Sequence, residues 1–309
     1  MKIMIMGSGG VGAYYGGLLA KQGNDVTFIA RGAHLEALRT NGLQVKSVHG
    51  DFSIVPAQAT ENPADVGTVD LILFCVKTYA TDKAAEAIRP VVGPQTAVMS
   101  LQNGVDAAER IGNIIGVEHV LGGMTHLSSA IEAPGVVKQV SQFRRIVLGE
   151  FDGTISSRAK SIERVLNEAG IAADVSQNIR KVLWEKLIFI SVAGGLGSLT
   201  RLPMGEWRKP PETRAMAVSL MKEGEAVARA EGVAVDADIV EKTLAFIDAA
   251  APHIKASMQL DAEAGRQLEV ESLIGVIGRK GRKAGIPTPT ADMIYAALLP
   301  IHLKALESK

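Results

Sequence analysis

The sequence predicts a two-domain α/β protein, with an open parallel sheet crossed by helices over residues 1–177 and an all-α domain over residues 178–309. Three observations predict it. Short apolar runs alternate with helical patterns in the first half, a glycine-rich turn follows the first of those runs, and helical periodicity takes over from residue 179. A chain of 309 residues also exceeds what one hydrophobic core usually serves.

The apolar runs at 3–6, 26–30, 71–76 and 97–101 read as buried strands, with helices at 11–22, 35–40 and 81–91 beside them. Residues 43–48 and 52–55, separated by His49-Gly50-Asp51, read as an inserted hairpin. Strand-like pieces at 136–140 and 146–148 are expected to extend the sheet. Helices are expected at 179–196, 215–231, 237–248, 267–284 and 290–306, broken at 202–211, Gly232, Pro252 and 286–289.

Composition excludes several function classes. Lys+Arg and Asp+Glu balance at 33 each, so no global field marks a nucleic-acid or acidic-membrane partner. The local cluster Arg279, Lys280, Arg282 and Lys283 reads as a solvated helix face. Cys75 is the only cysteine, which rules out an internal disulfide, and its apolar run marks it as a structural thiol. The apolar run 187–199 is too short to span a bilayer. The start resembles a signal peptide, but its glycine spacing has a better explanation. The cytoplasm is the expected compartment.

Gly7-Ser8-Gly9-Gly10-Val11-Gly12 fits G-x-G-x-x-G between a strand and a helix. In that context the glycines permit a tight turn, close backbone approach to a pyrophosphate and helix–strand packing, and the helix N-terminus attracts the anion. The first domain is therefore expected to be a Rossmann-type dinucleotide-binding domain. Gly16 and Gly17, unfavourable inside a helix, are expected to be compensated by close packing. The second strand ends at Arg31, where an NAD site would carry an acid, so NADPH is the expected cofactor. Lys77 and Asn103 follow the third and fourth strands at the sheet's carboxyl edge, where such folds bind ligands; a solvated lysine and a turn residue are the bland alternatives.

Leu183, Lys186, Leu187, Ile190 and Gly194 share one helical stripe. A lysine in an apolar stripe is costly unless it is paired or has a role, and desolvation suits it to proton donation near neutral pH. A snorkelling lysine is the alternative. Lys181 and Glu185 point elsewhere and can pair.

At this point the chain resembles the ketopantoate reductase (2-dehydropantoate 2-reductase) family of pantothenate biosynthesis. The residues that carry the likeness are Gly7 to Gly12, Arg31, Cys75-Val76-Lys77, Gln102-Asn103-Gly104, Leu183-Trp184-Glu185-Lys186-Leu187, Ser257-Met258, Asp261, Gly265-Arg266, Glu269 and Gly285-Ile286-Pro287-Thr288-Pro289. The resemblance implies that Lys186 is the general acid, that Asn103 orients substrate against the nicotinamide, and that Lys77 lies near the cofactor. It also implies that Ser257 and Glu269 hold polar groups of a small 2-oxo acid, with no metal. A homodimer stays open.

One departure stands out. The family pattern places asparagines four and eight residues after the lysine, where this chain has Ile190 and Gly194, and Asn178 is its last asparagine. Reduction of a 2-oxo acid is therefore better supported than reduction of ketopantoate itself, and a more apolar substrate is the alternative. A non-catalytic NADP-binding sensor is the competing class. Finally, Ser257 and Glu269 would lie about 18 Å apart on one straight helix, so the chain must turn between them, with Gly265 the most permissive position.

Overall fold

The computed structural model describes residues 1–307. Its first unit comprises Met1–Gln102 and Ala107–Ile179; its second comprises Asn103–Asp106 and Arg180–Lys309. The division after Ile179 lies two residues beyond the expected one. The four-residue loop after the fourth core strand belongs with the helices rather than with the sheet, which sequence order alone could not indicate.

The first unit holds the strands β1 (Lys2–Met6), β2 (Asp25–Ile29), β3 (Leu43–Ser47), β4 (Phe52–Ile54), β5 (Gln58–Thr60), β6 (Leu71–Phe74), β7 (Ala97–Ser100), β8 (Val120–His126), β9 (Ser129–Ala133), β10 (Val136–Gln139), β11 (Arg145–Gly149) and β12 (Ala172–Val175). Its helices are α1 (Gly10–Lys21), α2 (Gly32–Asn41), α3 (Thr81–Ile88), α4 (Ala107–Ile115) and α5 (Ser157–Glu168).

Eight strands form one sheet in the order β12-β11-β8-β7-β6-β1-β2-β5, parallel except where β11 meets β8. The parallel centre follows from residues apolar on both faces. Ile3, Ile5, Leu71, Leu73 and Met99 enter one core, while Met4, Met6, Ile72, Phe74 and Val98 enter the other. A second sheet, β4-β3-β10-β9, contains the expected hairpin. The strand-like piece at 136–140 corrects the expectation: β10 joins this small sheet beside β3, and of the two pieces it is the one at 146–148, within β11, that lies in the large sheet.

Gly16 and Gly17 are explained by contact. A Cβ on Gly16 would stand 2.6 Å from Phe28 and 2.7 Å from Ile5, and one on Gly17 would stand 3.0 Å from Leu43. Helix α1 is thus pressed between the large sheet and the hairpin.

The second unit contains α6 (Ile179–Thr200, from Arg180), α7 (Met204–Trp207), α8 (Pro211–Ala230), α9 (Ile239–Ala249), α10 (Ser257–Glu263), α11 (Val276–Ala284) and α12 (Pro289–Glu307). Helix α6 is long and apolar enough to cross a membrane by length and composition. Here it is the core helix: Leu187, Ile188, Val192 and Leu196 have no exposed surface. The expected helix at 267–284 begins with a π-helical turn, Glu271–Gly275. Residues 257–263 form a helix of their own that the periodicity left undecided.

Gly16→Val is expected to cost about 1–3 kcal/mol by overpacking, read as a lower midpoint in urea with an unchanged slope.

Candidate functional site

The glycine turn is built to present backbone. Gly7 adopts φ +100°, a conformation open to glycine, and a Cβ there would meet the Val76 backbone nitrogen at 2.8 Å. A Cβ on Gly12 would collide with the Gly7 carbonyl at 2.2 Å, and one on Gly10 with the Ser129 carbonyl at 2.3 Å. Gly9 differs, since a Cβ there would have nothing within 4 Å. Ser8 is buried, and its N–H and Oγ–H both donate to the Ile29 carbonyl, at 3.1 and 3.0 Å. It fixes the loop on β2 instead of offering a hydroxyl. Val11 is half-buried against the sheet core. Helix α1 has no side-chain cap, so its first-turn N–H groups can serve a phosphate. This cradle fits a dinucleotide.

Arg31 is exposed and occupies the N-cap position of α2. Its Nε lies 3.7 Å from Glu61 Oε1, both side chains being 64% exposed. This acid was not legible in the sequence, because it arrives from the end of β5, thirty positions on but adjacent to β2 in the sheet. So exposed a pair is worth at most about 1 kcal/mol. Lys77 is half-buried at the end of β6. Cys75 is partly buried, and desolvation pushes its thiol up to about 12, which disfavours the nucleophilic thiolate.

Gln102 and Asn103 part company. Gln102 is buried and donates to the Val76 carbonyl and to Thr81 Oγ1, both at 2.9 Å, which ties the ends of β6 and β7 together. Asn103 belongs to the helical unit. Its neighbour Gly104 packs on the π-helical turn, where a Cβ would lie 2.9 Å from the Ser272 carbonyl, and Asp106 pairs with Arg279 at 3.7 Å. Half-buried, the Asn103 carboxamide has no hydrogen bond to any described residue.

Lys186 is half-buried on α6. Desolvation brings its pKa down to about 8, and the Glu269 carboxylate pulls it back upward. Glu269 is 5% exposed. The turn that delivers it is specific. Helix α10 ends at Glu263, and Gly265, at φ +63°, donates to the Ala262 carbonyl at 3.2 Å while Arg266 N–H donates to the Asp261 carbonyl at 2.8 Å. Arg266 Nε also donates to buried Asp261 Oδ1 at 2.8 Å. Beyond the turn, Leu268 N–H donates to buried His302 Nδ1 at 3.2 Å. His302 had no local signal in the sequence, being a lone histidine on the last helix.

Ser257 is exposed in the first turn of α10. It adjoins the α6 stripe through Met258, which packs over Gly194. The structure therefore couples Lys186 with Glu269 and places the Asn103 loop against the turn just after Glu269. Of the other charged groups, Lys181 pairs with Glu185 at 3.8 Å and with Asp236 at 2.5 Å. In the basic cluster, Lys280 pairs with Glu231 at 2.5 Å and Arg282 with Asp292 at 2.8 Å.

Comparison with known proteins matches the profile "Ketopantoate reductase PanE/ApbA" to residues 3–153 and its C-terminal counterpart to residues 178–302. The chain belongs to the ketopantoate reductase family. It is 30% identical to the 2-dehydropantoate 2-reductase of Mesorhizobium japonicum over 96% of both chains. Its fold is similar to the crystal structure of a PanE/ApbA family ketopantoate reductase from Ralstonia eutropha, with TM-score 0.92 and 32% identity over 99% of this chain and 100% of that one. It is also similar to D-mandelate dehydrogenase in its ternary structure with NADH and anilino(oxo)acetate, with TM-score 0.90 and 25% identity over 99% of both chains.

Gly9→Ala is expected to leave stability within about 0.5 kcal/mol. It should weaken dinucleotide binding roughly tenfold, the scale of one charge-assisted hydrogen bond. Fluorescence titration and thermal melts measure the two.

Proposed function

We propose that this chain is an NADPH-dependent reductase that converts a 2-oxo acid into the corresponding 2-hydroxy acid in the cytoplasm. The observation that carries the reading is a lysine with a pKa of about 8 beside a buried carboxylate, in a chain whose glycine turn fits a dinucleotide. The dinucleotide, when bound, supplies a hydride.

The chain's own residues supply the rest. The turn from Gly7 to Gly12 holds the pyrophosphate by backbone N–H groups, Lys77 adds a cation near the cofactor, and Arg31 receives the 2′-phosphate. Lys186 donates a proton to the substrate carbonyl oxygen, so that no alkoxide accumulates. Glu269 keeps the ammonium protonated at neutral pH. The Asn103 carboxamide orients the substrate, and Ser257 and Glu269 are the groups proposed to hold its polar end. The reading is tested by following NADPH oxidation with a panel of 2-oxo acids that includes ketopantoate. Absence of turnover across the panel would refute it.

Selectivity rests on Arg31, whose side chain at a helix N-terminus suits a phosphate. Arg31→Asp is expected to weaken NADPH binding far more than NADH binding, and Glu61→Gln to strengthen NADPH binding by removing a competing partner. An unchanged ratio of the two dissociation constants in Arg31→Asp would remove NADPH preference from the reading.

A proton donor with a pKa of about 8 is charged below that value and neutral above it. Turnover in the reductive direction should therefore fall as pH rises through about 8, and oxidation of the hydroxy acid should rise over the same interval. Glu269→Gln removes the upward pull, so the descending limb should move to lower pH. Lys186→Ala should lower kcat by roughly 100-fold or more while NADPH affinity holds. Rate profiles against pH, with cofactor titrations, measure all three.

A further inference from the structure

His34 lies half-buried in the first turn of α2, three residues after Arg31. Its Nδ1 accepts the Gly135 N–H at 3.1 Å. Gly135 belongs to the turn between β9 and β10, where Pro134-Gly135 has the residues of a type II turn and Gly135 adopts φ +75°. Such a turn bonds through its fourth N–H, which leaves the Gly135 N–H to point outward, and here it meets the imidazole. An Nδ1 that accepts leaves the proton of the neutral ring on Nε2. Nε2 is shut off from solvent and completes no hydrogen bond to any described residue. Burial holds the ring's pKa below the ordinary histidine value, and the Ser8 backbone pulls the other way, which a carbonyl does and an N–H does not. The Nε2–H thus faces the Ser8 carbonyl without closing a bond to it.

We propose that His34 is a positioning residue for cofactor binding. Its Nε2–H closes on the Ser8 carbonyl when a dinucleotide occupies the turn, and so fixes the Ser8–Gly9 peptide with the Gly9 N–H toward the pyrophosphate. This rests on the reading of Gly7 to Gly12 as a dinucleotide cradle. A trans peptide is planar, with its C=O and the following N–H on opposite sides, so holding one direction fixes the other. The peptide needs such a hold. No atom lies within 4 Å of where a Gly9 Cβ would stand, and glycine itself permits rotated forms. On its other side Ser8 is already tied, its N–H and Oγ–H both on the Ile29 carbonyl. The imidazole is braced in turn by the small sheet. The Gly135 carbonyl accepts the Gln44 N–H at 2.9 Å, and a Cβ on Gly135 would stand 3.0 Å from Ala37 Cβ.

The test compares dissociation constants for NADPH and NADH, with thermal midpoints, in wild type, His34→Asn and His34→Gln. An asparagine carboxamide can accept the Gly135 N–H from the place of Nδ1 but is too short to reach Ser8. A glutamine amide N–H reaches about as far as Nε2. His34→Asn should weaken both cofactors roughly tenfold, the scale of one lost hydrogen bond, with their ratio unchanged and the midpoint close to wild type. His34→Gln should recover most of the affinity. Wild-type affinity in folded His34→Asn overturns the proposal, as does a glutamine variant that binds no tighter than the asparagine one. A loss confined to NADPH also overturns it, because that would put His34 at the 2′-phosphate rather than behind the pyrophosphate.

A measurement on the unaltered protein holds even where a variant folds poorly. In nuclear magnetic resonance spectra of protein with isotope-labelled histidine, the His34 proton should sit on Nε2. On saturation with NADPH it should shift downfield and exchange with water more slowly. A proton on Nδ1, or a resonance that NADPH leaves unchanged, overturns the proposal. Neither readout needs turnover, so failure of the reductase reading leaves both intact. Failure of the NADPH preference shows separately, as a wild-type affinity ratio near one, and failure of the cradle reading as no binding of either cofactor.

Discussion

The structure depends on keeping a lysine ammonium out of bulk water beside a single carboxylate. Desolvation of Lys186 costs free energy that the fold must recover, and Glu269 is the charge that offsets it. A buried pair of this kind is sensitive to geometry, because losing either partner strands the other in a poor dielectric. The arrangement around Glu269 follows from that constraint. A left-handed glycine stops α10, an arginine–aspartate bond locks the stop, and a buried histidine accepts the next backbone N–H. None of these groups need touch a substrate to matter, since each limits how far the carboxylate can drift from the ammonium.

The dinucleotide turn solves the opposite problem. There the recognising groups are backbone N–H donors, so the side chains must stay away. Gly7, Gly10 and Gly12 are excluded from carrying a Cβ by neighbouring backbone, while Gly9 is kept bare toward open space. Ser8, the one hydroxyl in the turn, is spent on the Ile29 carbonyl. The small sheet has a part in this as well, because the Ser129 carbonyl on β9 closes over Gly10. An element that resembles an ornamental insertion thus supports the first turn of α1.

The legibility of these features divides by how local their causes are. The four central parallel strands β1, β2, β6 and β7, with α1 and α6, were readable because each declares itself within a few residues: apolar on both faces, or periodic with a glycine signature. The short or flanking strands β5, β8 and β12 were not. The Lys186 stripe was readable for the same reason, since a charge inside an apolar periodicity is a local contradiction. Features created by juxtaposition were not. Glu61 reaches Arg31 from a neighbouring strand, His302 reaches Leu268 from the last helix, and the Asn103 loop leaves the sheet for the helices. Residues 136–139 alternate like any strand, and only the partner β3 decides which sheet they join. The π-helical turn after Glu269 was hidden because its residues suit an ordinary α-helix equally well.

The basic cluster on α11 bears on the same electrostatics. The helix that follows Glu269 carries four cations, Arg279, Lys280, Arg282 and Lys283. Arg279 is tied to Glu271 and Asp106, Lys280 to Glu231 and Arg282 to Asp292. Each pair contributes little to stability where it is exposed, yet together they leave this helix close to neutral. The Arg279 pair with Asp106 has a second consequence, because Asp106 lies three residues after Asn103. The bond that discharges the cation also anchors the loop that presents the carboxamide. Charge balance and the placement of a proposed substrate-orienting group are therefore secured by the same contact.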